Sequence, residues 1–364
     1  MRSHAKTPSR SLSSGLVLFI SLLVIFCSLG VLFVFEASVA ESFNMVGHSY
    51  HFLKQHLLGL GLGSIAFLVS LITPPQVWLR WNKVLLFVSL LLLVLVLIPG
   101  IGLELNGARR WLSLGPLTFQ PVEFAKFGVA VFFASWLSQH QRIAPFLSLT
   151  AVFSLLIMLQ PDLGSLLVLG GIMCSMFFLA GGNLKHLAGA GLAITPILLI
   201  LILTSPYRMN RLVTFFNPEV DPLGTSFHFR QITLALGRGG WGGEGVGNSR
   251  QRFSFIPEAS TDSIFAIIAE EIGFLGSSVL ICLWVAFFWL GYRLLFQAQI
   301  SQEERLLGLG LLSWLCIQTI LNLSAVVGLV PLTGIPLPFF SYGRTSQVMV
   351  LFAAGIITRL AKSR

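Results

Sequence analysis

The residue of this chain most able to do chemistry is Asp262, an acid at the mouth of a long apolar run. It closes a polar, glycine-rich stretch and is followed at once by Ser263-Ile264-Phe265-Ala266-Ile267-Ile268. An ionised side chain at the centre of a membrane helix costs about 2.5–3.5 kcal/mol on insertion scales, so one retained near hydrocarbon is a functional candidate. At the membrane edge the cost is lower. A carboxylate there can meet water, lipid headgroups and a reacting hydroxyl together, which are the conditions of a general base. Glu270 follows eight residues later, about 80° around a helix, on a stripe shared with Ala266, Ala269 and Gly273. Small residues let neighbouring helices approach, so that stripe is expected to face a helix bundle, with Glu271 nearly opposite. Asp162, Asp221 and Glu258 are rival acids.

The cations that could work with such an acid lie elsewhere. Asn106-Gly107-Ala108-Arg109-Arg110-Trp111 holds two guanidinium forks, which bind phosphate bidentately where lysine acts as a point charge. The same residue types also serve as plain interfacial anchors. Glu123 and Lys126 are three residues apart and share a helix face, and Lys126 is the one lysine placed within an apolar span. His48, His51 and His56 suit an amphipathic interfacial segment better than a metal site. Gly237-Arg238-Gly239-Gly240-Trp241-Gly242 fits G-x-G-x-x-G but lacks the strand and helix of a dinucleotide fold. Its glycines are expected to permit tight turns and close backbone approach to a headgroup. The run Pro331 to Arg344, with Pro336 and Pro338, excludes a regular helix and is expected to form one wall of a cavity.

These groups must be positioned by membrane helices. The 364 residues are 55% hydrophobic and only 10% charged, with a mean hydropathy of +0.86, whereas a soluble chain carries about a quarter charged residues. The expected fold is an all-α integral membrane protein forming a single polytopic domain over 1–364. Ten apolar segments are predicted: 15–35, 54–73, 84–101, 121–137, 143–159, 163–180, 187–204, 262–290, 306–330 and 346–360. The first, uncharged from Gly15 to Phe35, is too long for a signal peptide and reads as an uncleaved helix. Cys27, Cys174, Cys282 and Cys316 each sit in apolar runs without metal or disulfide spacing.

An even count places both termini on one side. Twelve basic residues then fall on the inner side, and only Lys54, Arg109, Arg110 and Arg344 in short outer loops. That bias predicts cytoplasmic termini. The exception is a large extracytoplasmic loop, 205–261, between the seventh and eighth helices. Its arginines, among them Arg208, Arg211, Arg230 and Arg238, call for an anionic ligand. The net charge of +9 is carried by loops without a basic helix or aromatic platform, so no nucleic-acid partner is expected.

Several blocks in order resemble the SEDS family (shape, elongation, division and sporulation) of membrane peptidoglycan polymerases. They are Asn106 to Trp111 with Phe119 to Lys126, Gln160 to Gly164, Pro257 to Ala266 with Glu270 to Gly273, and Leu337 to Gly343. Gly245-Val-Gly-Asn-Ser249 and the arginine pair look more like the division branch (FtsW-like) than the elongation branch (RodA-like). Two departures stand out: Ser260, where the family often has a histidine that could carry a proton, and Arg344, where it has glycine. The resemblance implies a glycosyltransferase that polymerises lipid II, a disaccharide-pentapeptide on undecaprenyl pyrophosphate, on the outer face of the cytoplasmic membrane. It implies Asp262 as catalytic acid–base group and functional roles for Arg110 and Lys126; with these two, Arg109, Gln120, Glu258 and Ser341 are the expected substrate contacts. Expected partners are a class B penicillin-binding protein and other division proteins. No cofactor or metal ligand set is implied, although a divalent cation could assist the leaving pyrophosphate. A lipid II flippase is the competing reading.

Overall fold

The computed structural model describes residues 14–105, 107–115, 117–189, 191, 203, 206–217, 226–251 and 259–362. Apolar composition dictates helices, since each segment in lipid must satisfy its own backbone hydrogen bonds. The first are α1 (Ser14–Val46), α2 (His51–Ile72), α3 (Pro75–Arg80) and α4 (Asn82–Leu95). After a short sheet come α5 (Pro121–Leu137), α6 (Ile143–Met158) and α7 (Leu163–Leu179). The second half holds α8 (Pro206–Phe216), α9 (Phe227–Gly239), α10 (Ile264–Gln297), α11 (Gln302–Val326) and α12 (Arg344–Ala361). Helices α1, α2, α10 and α11 are each long and apolar enough to cross a membrane, and the chain is a multi-pass membrane protein. Nine of the predicted apolar segments coincide with helices; the tenth, 187–204, falls mostly outside the described residues.

Helices α5, α11 and α12 form the centre and bury most of their residues. Around them α1, α2 and α10 turn large apolar side chains outward, among them Leu18, Leu58, Ile65 and Val285. Phe26 stacks on Trp284 at 4.2 Å and Phe19 on Phe287 at 4.5 Å, joining α1 to α10. Phe339 and Phe340 enter the same cluster and pin the proline-rich run into the bundle.

Three features differ from the sequence reading. Between α4 and α5 the chain forms a three-stranded antiparallel sheet, β1 (Gly102–Leu105), β2 (Ala108–Leu114) and β3 (Leu117–Phe119), in the order β1-β2-β3. Arg109 pairs with Glu104, and Leu112 with Phe119, in its register. Its turns use Gly107 and Gly115, both at positive φ, and its strands are too short to leave a period-2 signal. The stretch 205–261, read as a loop, contains α8 and α9. Finally, α10 begins at Ile264 and is interrupted at Gly273 (φ 67°, ψ −171°). There the glycine-rich chain from α9 supplies the missing bonds: Phe274 N donates to Gly240 O (2.8 Å) and Gly245 N to Glu271 O (3.0 Å). The close approach expected of these glycines is thus made to protein backbone. A Cβ on Gly273 would lie 2.2 Å from Gly243 N.

Candidate functional site

One end of the bundle gathers the sheet, the starts of α5, α7 and α12, the turn before α10, α8 and the proline-rich run. They enclose a cavity of about 430 Å³. Its charged lining is four cations, Arg110, Lys126, Arg211 and Arg344, and three acids, Glu123, Asp162 and Asp262.

Asp262 lies in the turn ahead of α10 and is buried, at 8% exposure. Loss of water around the carboxyl is the dominant influence and pushes its pKa up to about 6, against the opposing pull of the Arg211 charge and of hydrogen bonds from Ser263 and Thr261. Ser263 Oγ donates to Asp262 Oδ1 at 3.2 Å, and His228 Nε2 lies 2.8 Å from the same hydroxyl. An imidazole therefore stands near the acid although position 260 is serine, arriving from α9 instead. The backbone of Asp262 is fixed from α11: Asn322 Nδ2 donates to Asp262 O (2.7 Å) and to Ile335 O (2.8 Å). One turn earlier, Gln318 Nε2 donates to Pro336 O at 2.9 Å. Two amides on one helix face thus hold the acid and the opposite wall in fixed relation.

Gln318 also reaches the buried cation. Its Oε1 accepts from Lys126 Nζ (2.9 Å) and Trp314 Nε1 (2.8 Å), while Lys126 Nζ also donates to Glu123 Oε1 at 2.7 Å. Lys126 and Glu123 are both 1% exposed. Arg110, on β2, donates through Nε to Gln160 O (3.0 Å) and through Nη2 to Pro161 O, tying the sheet to the start of α7. Asp162 caps that helix, accepting from Ser165 N (3.0 Å) and Ser165 Oγ (2.7 Å), the usual role of an acid at an N-cap.

Asp262, Arg110, Lys126 and Gln120 all line the cavity. Arg109 does not. Adjacent strand residues point to opposite faces, and Arg109 pairs with Glu104 at 2.9 Å instead. Ser341 is buried and accepts from Leu337 N (2.7 Å), closing the turn that carries Tyr342 and Gly343 to the wall. Glu258 lies outside the described residues, as does Asp221. Glu270 faces the bundle but binds the loop after α9, accepting from Ser249 Oγ at 2.5 Å and Arg250 N at 3.3 Å. Arg344 lines the cavity, with Nη2 donating to Thr118 Oγ1 at 3.5 Å. Arg211 was legible only as one of several loop arginines wanting an anion. It borders the cavity with Nη1 donating to Leu332 O at 2.7 Å. Among the described residues no three His, Cys, Asp or Glu side chains converge as metal ligands.

An acid of raised pKa among fixed cations can accept a proton while an anion forms nearby. Comparison with known proteins gives that arrangement a context. The FtsW/RodA/SpoVE cell cycle protein family model matches residues 16–364. Stage V sporulation protein E of Bacillus subtilis (strain 168) is 37% identical over 355 residues, covering 95% of this chain and 96% of that protein. The probable peptidoglycan glycosyltransferase FtsW of Trichlorobacter lovleyi is 36% identical over 366 residues, covering 98% and 95%. Among solved structures, a chain of a peptidoglycan synthase complex that coordinates polymerization and crosslinking matches with a TM-score of 0.78 and 29% identity, over 95% of this chain and 97% of that one. The rod shape determining protein RodA of Thermus thermophilus matches at 0.70 and 26%, over 95% and 96%.

Proposed function

The chain belongs to the FtsW/RodA/SpoVE cell cycle protein family, the SEDS polymerases, and from that membership we propose that its cavity joins the disaccharides of lipid II into glycan strands. It is a peptidoglycan glycosyltransferase, the activity carried in the names of its FtsW relatives. In the proposed step, the acceptor sugar hydroxyl attacks the anomeric carbon of the donor. The bond from that carbon to the pyrophosphate oxygen breaks, and its electron pair leaves with the pyrophosphate. Asp262 takes the hydroxyl proton. Arg110, Arg211 and Arg344 stand where they can meet the charge that grows on the leaving group, which is where fixed cations help most. Lys126 sits deeper, and its bonds to Glu123 and Gln318 suit it to hold the floor of the cavity. Gln120 serves at the wall. Arg109, Ser341 and Glu258 remain proposed substrate contacts, Arg109 by exchanging Glu104 for phosphate.

The observation that carries this reading is Asp262, buried with its carboxyl raised to about 6 in a cavity it shares with arginines. A base is most useful when its pKa approaches the working pH. The test is polymerisation of purified lipid II by the wild type and by Asp262→Asn, folding being checked by melting in detergent. Loss of a general base costs about 10²–10⁴-fold, and the wild-type rate should fall as pH drops through 6, where the carboxylate gains its proton. A folded Asp262→Asn protein at full rate would remove Asp262 from the chemistry.

The FtsW and stage V sporulation protein E names among the relatives favour the FtsW-like, division branch over the RodA-like, elongation branch. The solved synthase complex supports a class B penicillin-binding protein as cross-linking partner. A flippase would need the cavity to open alternately to both sides, whereas the charged residues of this cavity gather at one end of the bundle.

A further inference from the structure

We propose that His228 and Ser263 form a positioning chain for Asp262, holding one carboxylate oxygen so that the other is presented to the acceptor hydroxyl. This rests on Asp262 being the base. The geometry is a line of three polar groups: His228 Nε2 to Ser263 Oγ at 2.8 Å, and Ser263 Oγ to Asp262 Oδ1 at 3.2 Å. Ser263 is fully buried, so water does not compete for its hydroxyl. That hydroxyl has a single hydrogen, which goes to the carboxylate, and it can receive one from the imidazole. Nε2 therefore carries the proton and donates, and Oγ passes the polarisation on to Oδ1.

The imidazole is placed by rigid packing. His228 is the second residue of α9, whose Ile232 and Ala235 are fully buried, and whose Gly239 sits so close to α10 that a Cβ would lie 2.1 Å from Ala269 O. The acid is fixed from the other side by Asn322 on α11. With Oδ1 engaged, Oδ2 faces the space beside Gly334 that the Arg211 guanidinium also borders; both lie within 4.0 Å of the point where a Gly334 Cβ would stand. A sugar hydroxyl entering there would meet Oδ2 on one side and a cation for the departing anion on the other. Nothing is consumed, since His228 and Ser263 keep their protons and only bias where Asp262 accepts its own.

Hydrogen bonds to the charged form lower a carboxyl pKa, so losing the chain leaves Asp262 a stronger base that protonates at higher pH. The charged groups facing Asp262 are Arg211 from α8 and, around the cavity, Arg110, Glu123, Lys126, Asp162 and Arg344, all unchanged by the substitutions below. The experiment is the pH–rate profile of lipid II polymerisation for wild type, Ser263→Ala, His228→Ala, the double variant, and His228→Gln, whose amide keeps a donor near the Nε2 position. Both alanine variants should slow the reaction and move the acid limb up: Ser263→Ala by roughly one to two pH units, the worth of one hydrogen bond to a charged acceptor, and His228→Ala by less, because Ser263 still donates. The double variant should move it no further than Ser263→Ala, and His228→Gln should restore the wild-type limb. A limb unmoved in both alanine variants, or shifts that add in the double, would overturn the chain. Asp262→Asn separates the two levels: an inactive Asp262→Asn with unmoved limbs defeats the positioning chain alone, whereas an active one defeats the base and the chain with it.

Discussion

Lys126 and Glu123 place two full charges in the interior of a membrane bundle, each 1% exposed and 2.7 Å apart. Such a pair is costly to desolvate, and removing one partner strands the other, at about 3–5 kcal/mol. Lys126→Met should therefore lower the melting temperature in detergent sharply, and Lys126→Met/Glu123→Leu should recover most of the loss. If Lys126 only holds the bundle, the double variant should also recover polymerisation. A stable double variant that stays inactive would give the ammonium a direct part in catalysis, and equal melting of single variant and wild type would refute the structural cost. The three-residue spacing put these two on one helix face before any fold was known. The sequence could not show the third member. Gln318 is 192 positions away, and only the packing of α11 on α5 brings its amide oxygen to the ammonium. Arg109 illustrates the opposite limit. It stands beside Arg110 in the chain, but strand alternation separates their side chains, and a strand of seven residues with two arginines reads as a loop.

The elements that frame the cavity depend on one break in a helix. Hydropathy through 264–297 is continuous, so the sequence reads one uninterrupted span, and nothing in its average marks Gly273 as different from other glycines in apolar runs. The glycine-rich stretch after α9 was legible as backbone that must approach something closely, yet its partner could equally have been a lipid headgroup. The structure pairs the two signals: the break leaves helix groups unbonded, and residues 240–245 bond them. Gly273 occupies a backbone region essentially confined to glycine, costing other residues about 1–3 kcal/mol, and a side chain there would strike Gly243 N at 2.2 Å. Gly273→Ala should accordingly lower thermal stability by at least that amount and loosen α9, whereas Gly242→Ala, with open space at its Cβ, should melt like the wild type. Equal melting of the two variants would mean the α9–α10 junction does not need its glycine.

At the scale of the whole molecule, the contacts between helix ends order the chain into alternating passes. Gly15 packs on Leu294 and Gln76 bonds Glu304, so the start of α1, the turn between α2 and α3 and the turn between α10 and α11 share one end. Phe52 packs on Tyr342 at 5.1 Å at the opposite end, where the sheet and the cavity lie. The described helices thus begin and finish at the end away from the cavity, with Ser14 and Ala361 on the same side. That end also collects Arg80, Lys83, Arg142, Lys185, Arg293, Arg305 and Arg359, and basic residues in short loops favour the cytoplasmic side. The cavity should therefore open outside, where a lipid-linked sugar already carried across the membrane would meet Asp262. In a cysteine-free background, Ser113→Cys in the exposed β2–β3 hairpin should react with a membrane-impermeant maleimide in intact cells, and Lys185→Cys only after permeabilisation. The reverse pattern would put the cavity in the cytoplasm, and polymerisation on the outer face could not then take place at Asp262.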